Sequence, residues 1–289
     1  MAMTRADKLV AKTLVCVILL SAAVAWLTSC SPASNDIQTP PEPTTVTLTF
    51  SPYRMEAMTR AATSIADVVT RLDVWLLCDG SEAAAVHQSA SDAGFGSIAV
   101  TLDRTQTYTL CAVAHRATAA ATLSDGVIAW PDDKVTQTLY YQTTFSPADG
   151  TSLSCEMHRI VGVFRLEIAD DIPDGLASLR FSIPQTATRY SLTDGNTHLV
   201  DRTQTVSYGG TSANFNLYLL STADDATLFD ITVAALASDG SEIQTRRFAS
   251  VPIRNGYKTT FRGEFFTNTA TTAAFTVEQD WQEYDVTTF

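Results

Sequence analysis

The sequence predicts an all-β chain built as two tandem antiparallel β-sandwiches, and three observations carry that prediction. Apolar and polar residues alternate in short runs, as in Val46-Thr47-Leu48-Thr49-Phe50, which is the pattern of a strand with one face in a core. Turn pairs recur between such runs: Asp-Gly begins at Asp79, Asp125, Asp149, Asp174, Asp194 and Asp239, with Asn255-Gly256 and Gly209-Gly210 besides. These pairs readily supply the positive φ angles that tight hairpins need. The length, 289 residues with 45% hydrophobic content, exceeds one ordinary domain of about 100–200 residues.

The N-terminal segment reads as an address. Arg5, Lys8 and Lys12 stand against a single Asp7, and Leu14–Trp26 carries no charge. As a helix that run spans about 20 Å, short of a bilayer core of about 30 Å, so it fits the apolar region of a secretory signal. Leu27-Thr28-Ser29-Cys30 follows directly and resembles a bacterial lipobox. The resemblance implies removal of residues 1–29, and a diacylglyceryl thioether and an N-acyl chain on Cys30. Several acyl chains anchor stably, at about 0.8 kcal/mol per buried methylene. Ser31 after the cysteine resembles lipoproteins sorted to an outer membrane, and the expected location is the outer membrane, lipid-anchored at the cell surface. Residues 30–43 then form the lipidated cysteine and a polar, Pro-rich tether.

The body starts with a strand at Thr44–Phe50. Further runs rich in β-branched and aromatic residues lie at Val68–Cys78, Tyr108–His115, Val135–Phe145, Ile160–Ile168, Phe215–Leu220, Phe229–Leu236 and Tyr257–Phe265. Glu56–Ala66 is the one stretch that fits a short helix. The polar stretch Ser146–Ser154 marks a boundary, which gives sandwiches over 44–150 and 151–289. A weak rhyme links the halves, VVTRLDVWLLCDG at Val68–Gly80 and RIVGVFRLEIADDIPDG at Arg159–Gly175.

Several function classes fall away. A net charge of −12 disfavours nucleic-acid partners, which need basic patches to neutralise phosphate. Cys78, Cys111 and Cys155 show no C-x-x-C spacing, and Cys78 and Cys111 sit in apolar runs as buried free thiols would, with a single disulfide in an oxidising compartment as the alternative. His87, His115, His158 and His198 are scattered and read as surface or strand-end residues. Asp132-Asp133, Asp170-Asp171 and Asp224-Asp225 lack the alternating oxygen ligands of a calcium loop and read as turns. With no nucleophile elbow, phosphate loop or dinucleotide fingerprint, the expectation is a protein that is not an enzyme, with no metal and no cofactor beyond the lipid.

The ordered set of segments resembles the fimbrillin superfamily of Bacteroidales, in particular its anchor and accessory lipoproteins. The lipobox and tether precede TTVTLTF at Thr44–Phe50, followed by TRAATSIADVVTRLDVWLL at Thr59–Leu77 and MHRIVGVFRLEI at Met157–Ile168. NGYKTTFRGEFF at Asn255–Phe266 and AAFTVEQDW at Ala273–Trp281 complete the set. The resemblance implies transthyretin-like, Greek-key sandwiches that polymerise by strand exchange, one subunit's extended segment filling a groove in the next. It implies other fimbrial subunits as partners, the outer membrane as support, and surface ligands of host or bacterium.

It also implies candidate residues. Val46, Leu48 and Phe50 would be the inward side chains of a first strand, and cleavage at Arg54 or Arg60 by an arginine-specific protease would free its groove. At the other end Phe275 and Val277, and Tyr284 and Val286, fall on single faces of extended segments; each segment is either a donor strand or an in-sheet strand. The alternative reading is a glycan-binding outer-membrane lipoprotein of a polysaccharide uptake system. Trp130 and Trp281 near turns would be its stacking platforms, while Trp75 sits mid-strand as a core residue.

Overall fold

A computed structural model describes residues 42–53, 64–210, 213–221, 226–267 and 276–281. It contains strands, turns and two short 3-10 helices, with no α-helix among the described residues. None of those residues forms a helix long and apolar enough to cross a membrane.

The period-two alternation explains the first strand directly. In β1 (Pro43–Pro52) Val46, Leu48 and Phe50 are buried while Thr45, Thr47 and Thr49 between them face out. The chain continues through β2 (Arg71–Cys78), β3 (Ser81–Ser89), β4 (Ser97–Asp103), β5 (Tyr108–His115), β6 (Thr122–Ser124), β7 (Val127–Ala129), β8 (Thr138–Phe145) and β9 (Ser152–Arg159). Asp79 and Gly80 both adopt positive φ, 49° and 77°, as a two-residue hairpin between β2 and β3 requires. Asp125 and Gly126 do the same, at 50° and 72°, between β6 and β7.

Seven of these strands form one path, β3-β2-β5-β8-β9-β1-β4. It turns a corner at β8 and β9, which share only the pairs Leu139↔Arg159 and Tyr140↔His158. Beyond the corner the two parts lie face to face, and a single cluster packs Val46, Leu48, Phe50, Ile98 and Met157 against Leu72, Val74, Leu76 and Leu110. That is a sandwich core.

The second half repeats the plan with β10 (Val161–Ile168), β11 (Leu176–Ser191), β12 (Gly195–Ser207), β13 (Asn214–Leu220), β14 (Thr227–Ala237), β15 (Glu242–Ile253), β16 (Tyr257–Gly263) and β17 (Thr276–Trp281). In the first sandwich β1 pairs antiparallel with β4 and parallel with β9. In the second, β10 pairs antiparallel with β13 and parallel with β16. The hairpin β2–β3 followed by β5 and β8 corresponds to β11–β12 followed by β14 and β15. Phe164, Phe181, Leu217, Val233 and Phe248 anchor the second core.

The pairing differs from the sequence reading in four ways. Each sandwich contains one parallel pair, so neither is purely antiparallel. The polar stretch at 146–154 is a turn followed by the first residues of β9, and the first sheet continues through Arg159 before the chain crosses at Ile160. The rhyme of Val68–Gly80 with Arg159–Gly175 sets β2 beside β10, whereas the strand equivalent to β10 is β1. Of the helix expected over Glu56–Ala66, only its last residues are described, and there Ile65–Asp67 make a single 3-10 turn capped by Ser64.

The two sandwiches share an interface. On β2 and β5 the residues pointing away from the first core, Trp75, Cys111 and Val113, pack against Val161, Val163, Tyr218 and Leu220 of the second. The hairpin β6–β7 is an insertion between β5 and β8. Its strand β7 pairs with β11 from Arg189↔Ala129 to Ser191↔Val127, so a piece of the first half completes a sheet of the second.

Candidate functional site

The first strand is bracketed. It is paired with β4 from Pro43↔Asp103 to Thr49↔Ser97, and with β9 from Thr47↔Ser152 to Pro52↔Met157. Leu48 lies opposite Ile98 on one side and Leu153 on the other. Val46 and Leu48 are 0% exposed. Taking β1 away would therefore leave two unpaired strand edges flanking an apolar trough floored by Leu72, Val74 and Leu110. Such a trough suits a strand carrying apolar residues at every second position.

The exit of β1 is also fixed. Phe50 N–H donates to the Gly96 carbonyl at 2.8 Å and Tyr53 N–H to Met157 at 2.8 Å, and the Tyr53 ring stacks on His158 at 4.3 Å. Gly96 has φ +88°, and a Cβ there would lie 2.6 Å from Ile65 Cγ2. Only glycine lets Ile65 close over the end of β1. Arg54 and Arg60, the candidate cleavage sites, lie outside the described residues, as does Cys30.

At the other end β17 pairs antiparallel with β16, from Tyr257↔Trp281 to Arg262↔Thr276. Among the described residues it is the edge of the sheet β13-β10-β16-β17, and Val277 is 50% exposed. Here the extended segment lies in its own sheet with Val277 turned to solvent. Phe275, Tyr284 and Val286 lie outside the described residues.

One polar cluster escaped sequence reasoning. Asp73, 0% exposed, holds His115 Nε2 at 2.7 Å and His87 Nδ1 at 2.8 Å, and accepts the Ala121 amide at 2.8 Å. Burial alone would raise the Asp73 pKa, but the His115, Ala121 and His87 hydrogen bonds outweigh it and hold the carboxyl below its ordinary value. Asp73 and His87 are cross-strand partners on β2 and β3, and His115 ends β5 two residues from the partner of Asp73, Val113. The signal was an aspartate at an apolar strand position, legible only once the strands are paired. The cluster joins β2, β3, β5 and the chain leading to β6, a structural tie on the face toward the second sandwich.

The remaining expected residues are placed plainly. Cys78, Cys111 and Cys155 are free thiols; burial pushes Cys111 and Cys155 up to about 12, so neither is a nucleophile near neutral pH. Asp170 is a clamp: its carboxylate accepts the amides of Phe265, Phe266 and Thr267 at 2.6–2.8 Å. Trp130 is 3% exposed, buried with Trp75 in the interface between the sandwiches, so it is no surface platform for a sugar. The side chain of Trp281 is outside the description. Among the described residues no group of three or more His, Cys, Asp or Glu is placed to hold a metal ion.

Residues 161–287 match a family of unknown function, DUF6562, and the match opens on the first residue of β10. No curated protein matches the chain significantly. Among solved structures, the chain is similar to candidate polysaccharide binding proteins from Bacteroides thetaiotaomicron, with TM-score 0.49, 12% identity, and 76% of this chain and 92% of that one covered. It is similar to a fimbrial assembly protein from Parabacteroides distasonis, with TM-score 0.45, 12% identity and coverage of 83% and 99%. It is likewise similar to the fimbrial anchor protein Mfa2 from Porphyromonas gingivalis, with TM-score 0.45, 12% identity and coverage of 83% and 98%.

Proposed function

We propose that the chain is a cell-surface fimbrial subunit of the anchor or accessory kind, non-enzymatic, supporting adhesion and joined to its neighbour by strand exchange. The observation that carries the reading is the placement of β1 between β4 and β9 with Val46, Leu48 and Phe50 in the core. A strand so placed can be exchanged for one of equal pattern, because backbone hydrogen bonds supply affinity and alternate apolar side chains fill pockets. The order of segments that resembles fimbrillins supports the same reading. In this reading lipidated Cys30 holds the subunit in the outer membrane and residues 31–43 space it from the surface.

The test is the intact mass and N-terminal sequence of the native protein, taken from membranes and from sheared filaments. A lipidated Cys30 terminus at the filament base supports an anchor. A terminus following Arg54 or Arg60 supports a subunit whose first strand is removed. Lipidated protein never found with any filament would overturn the fimbrial reading.

A further inference from the structure

The first strand is held unequally along its length. Residues 43–46 pair with β4 alone, because the β9 ladder starts at Thr47. Residues 50–52 pair with β9 alone, because the β4 ladder stops at Thr49↔Ser97. Strand ends with a single neighbour are the first to open. At the Pro43 end the further ties are exposed: the Glu42 amide donates to Asp103 Oδ1 at 3.1 Å, and the Arg104 amide donates to the Glu42 carbonyl at 2.8 Å.

The other end is closed differently. Phe50 lies beyond the β4 ladder, yet it is only 4% exposed. Its amide donates to the carbonyl of Gly96, the residue before β4. Ile65, in the single 3-10 turn, is 2% exposed and packs in the same core cluster as Phe50. It reaches that place only because residue 96 lacks a side chain, since a Cβ there would fall 2.6 Å from Ile65 Cγ2.

Both covering parts are rooted in the body of the sandwich. Ser64 Oγ accepts the Ala66 amide at 3.2 Å and Asp67 Oδ2 accepts the Ser64 amide at 3.0 Å, which closes the turn from both sides. Downstream, Val68 and Val69 are buried, Arg116 Nε donates to the Val68 carbonyl at 2.7 Å, and the Thr70 amide donates to the His115 carbonyl at 3.0 Å. Gln88 of β3 braces the glycine: it accepts the Gly96 amide through Oε1 at 3.0 Å and donates from Nε2 to the Ser97 carbonyl at 3.1 Å. None of these bonds uses an atom of β1.

We propose that Ile65, seated on Gly96, is a latch on β1: it holds the Phe50 end in the groove and sets how readily the strand gives way to another. This rests on the strand-exchange reading and adds its control. When β1 leaves, Phe50 and Ile65 lose their shared burial together, so the apolar contact between them opposes release. Such a hold keeps the flanking strands from presenting bare edges before an incoming strand is at hand.

A thiol already in the groove reads the opening. Cys155 is the β9 partner of Phe50 and is 0% exposed, while Cys111, equally buried, lies in the interface between the sandwiches. Release of β1 uncovers Cys155 alone, whereas unfolding uncovers both. The full chain is incubated with iodoacetamide under native conditions, and alkylation of each cysteine is followed by peptide mass spectrometry. In the wild type Cys155 is expected to react at least about tenfold faster than Cys111. Ile65→Ala is expected to speed Cys155 by a further factor of about ten or more, with Cys111 unchanged within about twofold. Gln88→Ala removes the brace from a half-buried position and is expected to speed Cys155 by about threefold or more, so it decides the matter if Ile65→Ala does not fold. Cys155 ahead of Cys111 in the wild type, but unmoved by either variant, would overturn the latch and leave strand exchange standing. A rise shared equally by Cys111 in both variants is global destabilisation and would also overturn the latch. Cys155 and Cys111 reacting together in the wild type and in both variants would overturn the strand-exchange reading itself.

Discussion

Leu48→Ala probes the groove around β1 at its centre. Leu48 is 0% exposed, sits between Ile98 and Leu153 of the flanking strands, and belongs to the core that contains Leu72 and Leu110. Removing a fully buried leucine side chain beyond Cβ costs about 2–5 kcal/mol, the spread reflecting how far the site can collapse. Paired strands on both sides hinder collapse here, so about 3 kcal/mol is expected. If the two sandwiches unfold together, each kcal/mol moves the midpoint by about 2–4 °C, giving a drop of about 6–12 °C. If the first unfolds alone, the drop is about twice that. Differential scanning calorimetry reads both cases. Thr47→Ala, whose side chain faces out of the same strand, is the control and should shift the midpoint by less than about 2 °C. A Leu48→Ala midpoint no lower than that of Thr47→Ala would refute the reasoning that β1 is an integral core strand.

Other outcomes follow from the same geometry. Gly162→Ala should prevent folding of the second sandwich, because its Cβ would stand 2.4 Å from the Arg254 carbonyl oxygen and 2.7 Å from Ile253 Cγ2; circular dichroism should show lost strand signal. The Asp73 cluster imposes a pH dependence. Asp73 is held below the ordinary carboxylate value of 3.8, so its contribution is full above that value and is lost as pH falls through the folded one. Asp73→Ala should cost about 3–5 kcal/mol at neutral pH, since it strands His115, His87 and the Ala121 amide, and should flatten the loss of stability in acid. Thermal melts from pH 7 down to pH 2 measure both effects. Asp170→Ala should loosen the turn at 264–267, with faster amide exchange at Phe265, Phe266 and Thr267 as the readout.

Much of the fold was legible because its signals are local. The Asp-Gly turns at Asp79 and Asp125 fix hairpins by backbone geometry alone, and Tyr108–His115 is a strand with the bounds its composition suggests. Of the strands that went unmarked, Gly195–Ser207 has a largely exposed, polar face with little apolar alternation to detect, whereas Ser97–Asp103 and the first half of Leu176–Ser191 do alternate, with Ile98, Leu102, Leu179, Phe181 and Ile183 buried. The end of the first sandwich was missed because Ser152–Arg159 looks polar: only Cys155, Met157 and Arg159 are buried, every second residue, and its identity as a first-sheet strand lies in its parallel pairing with β1. Trp130 looked exposed because Pro131 follows it in a turn. The inserted hairpin carries it into the interface, a placement set by contacts far apart in sequence.

The central claim is that β1 is a replaceable strand, and deletion of Thr44–Phe50 from the full chain, followed by calorimetry and sedimentation velocity, tests it most directly. The account predicts a lowered melting midpoint or self-association into polymers, reversed when a synthetic peptide spanning Thr44–Pro52 is supplied in excess. An unchanged midpoint together with a monomeric sedimentation profile would contradict it.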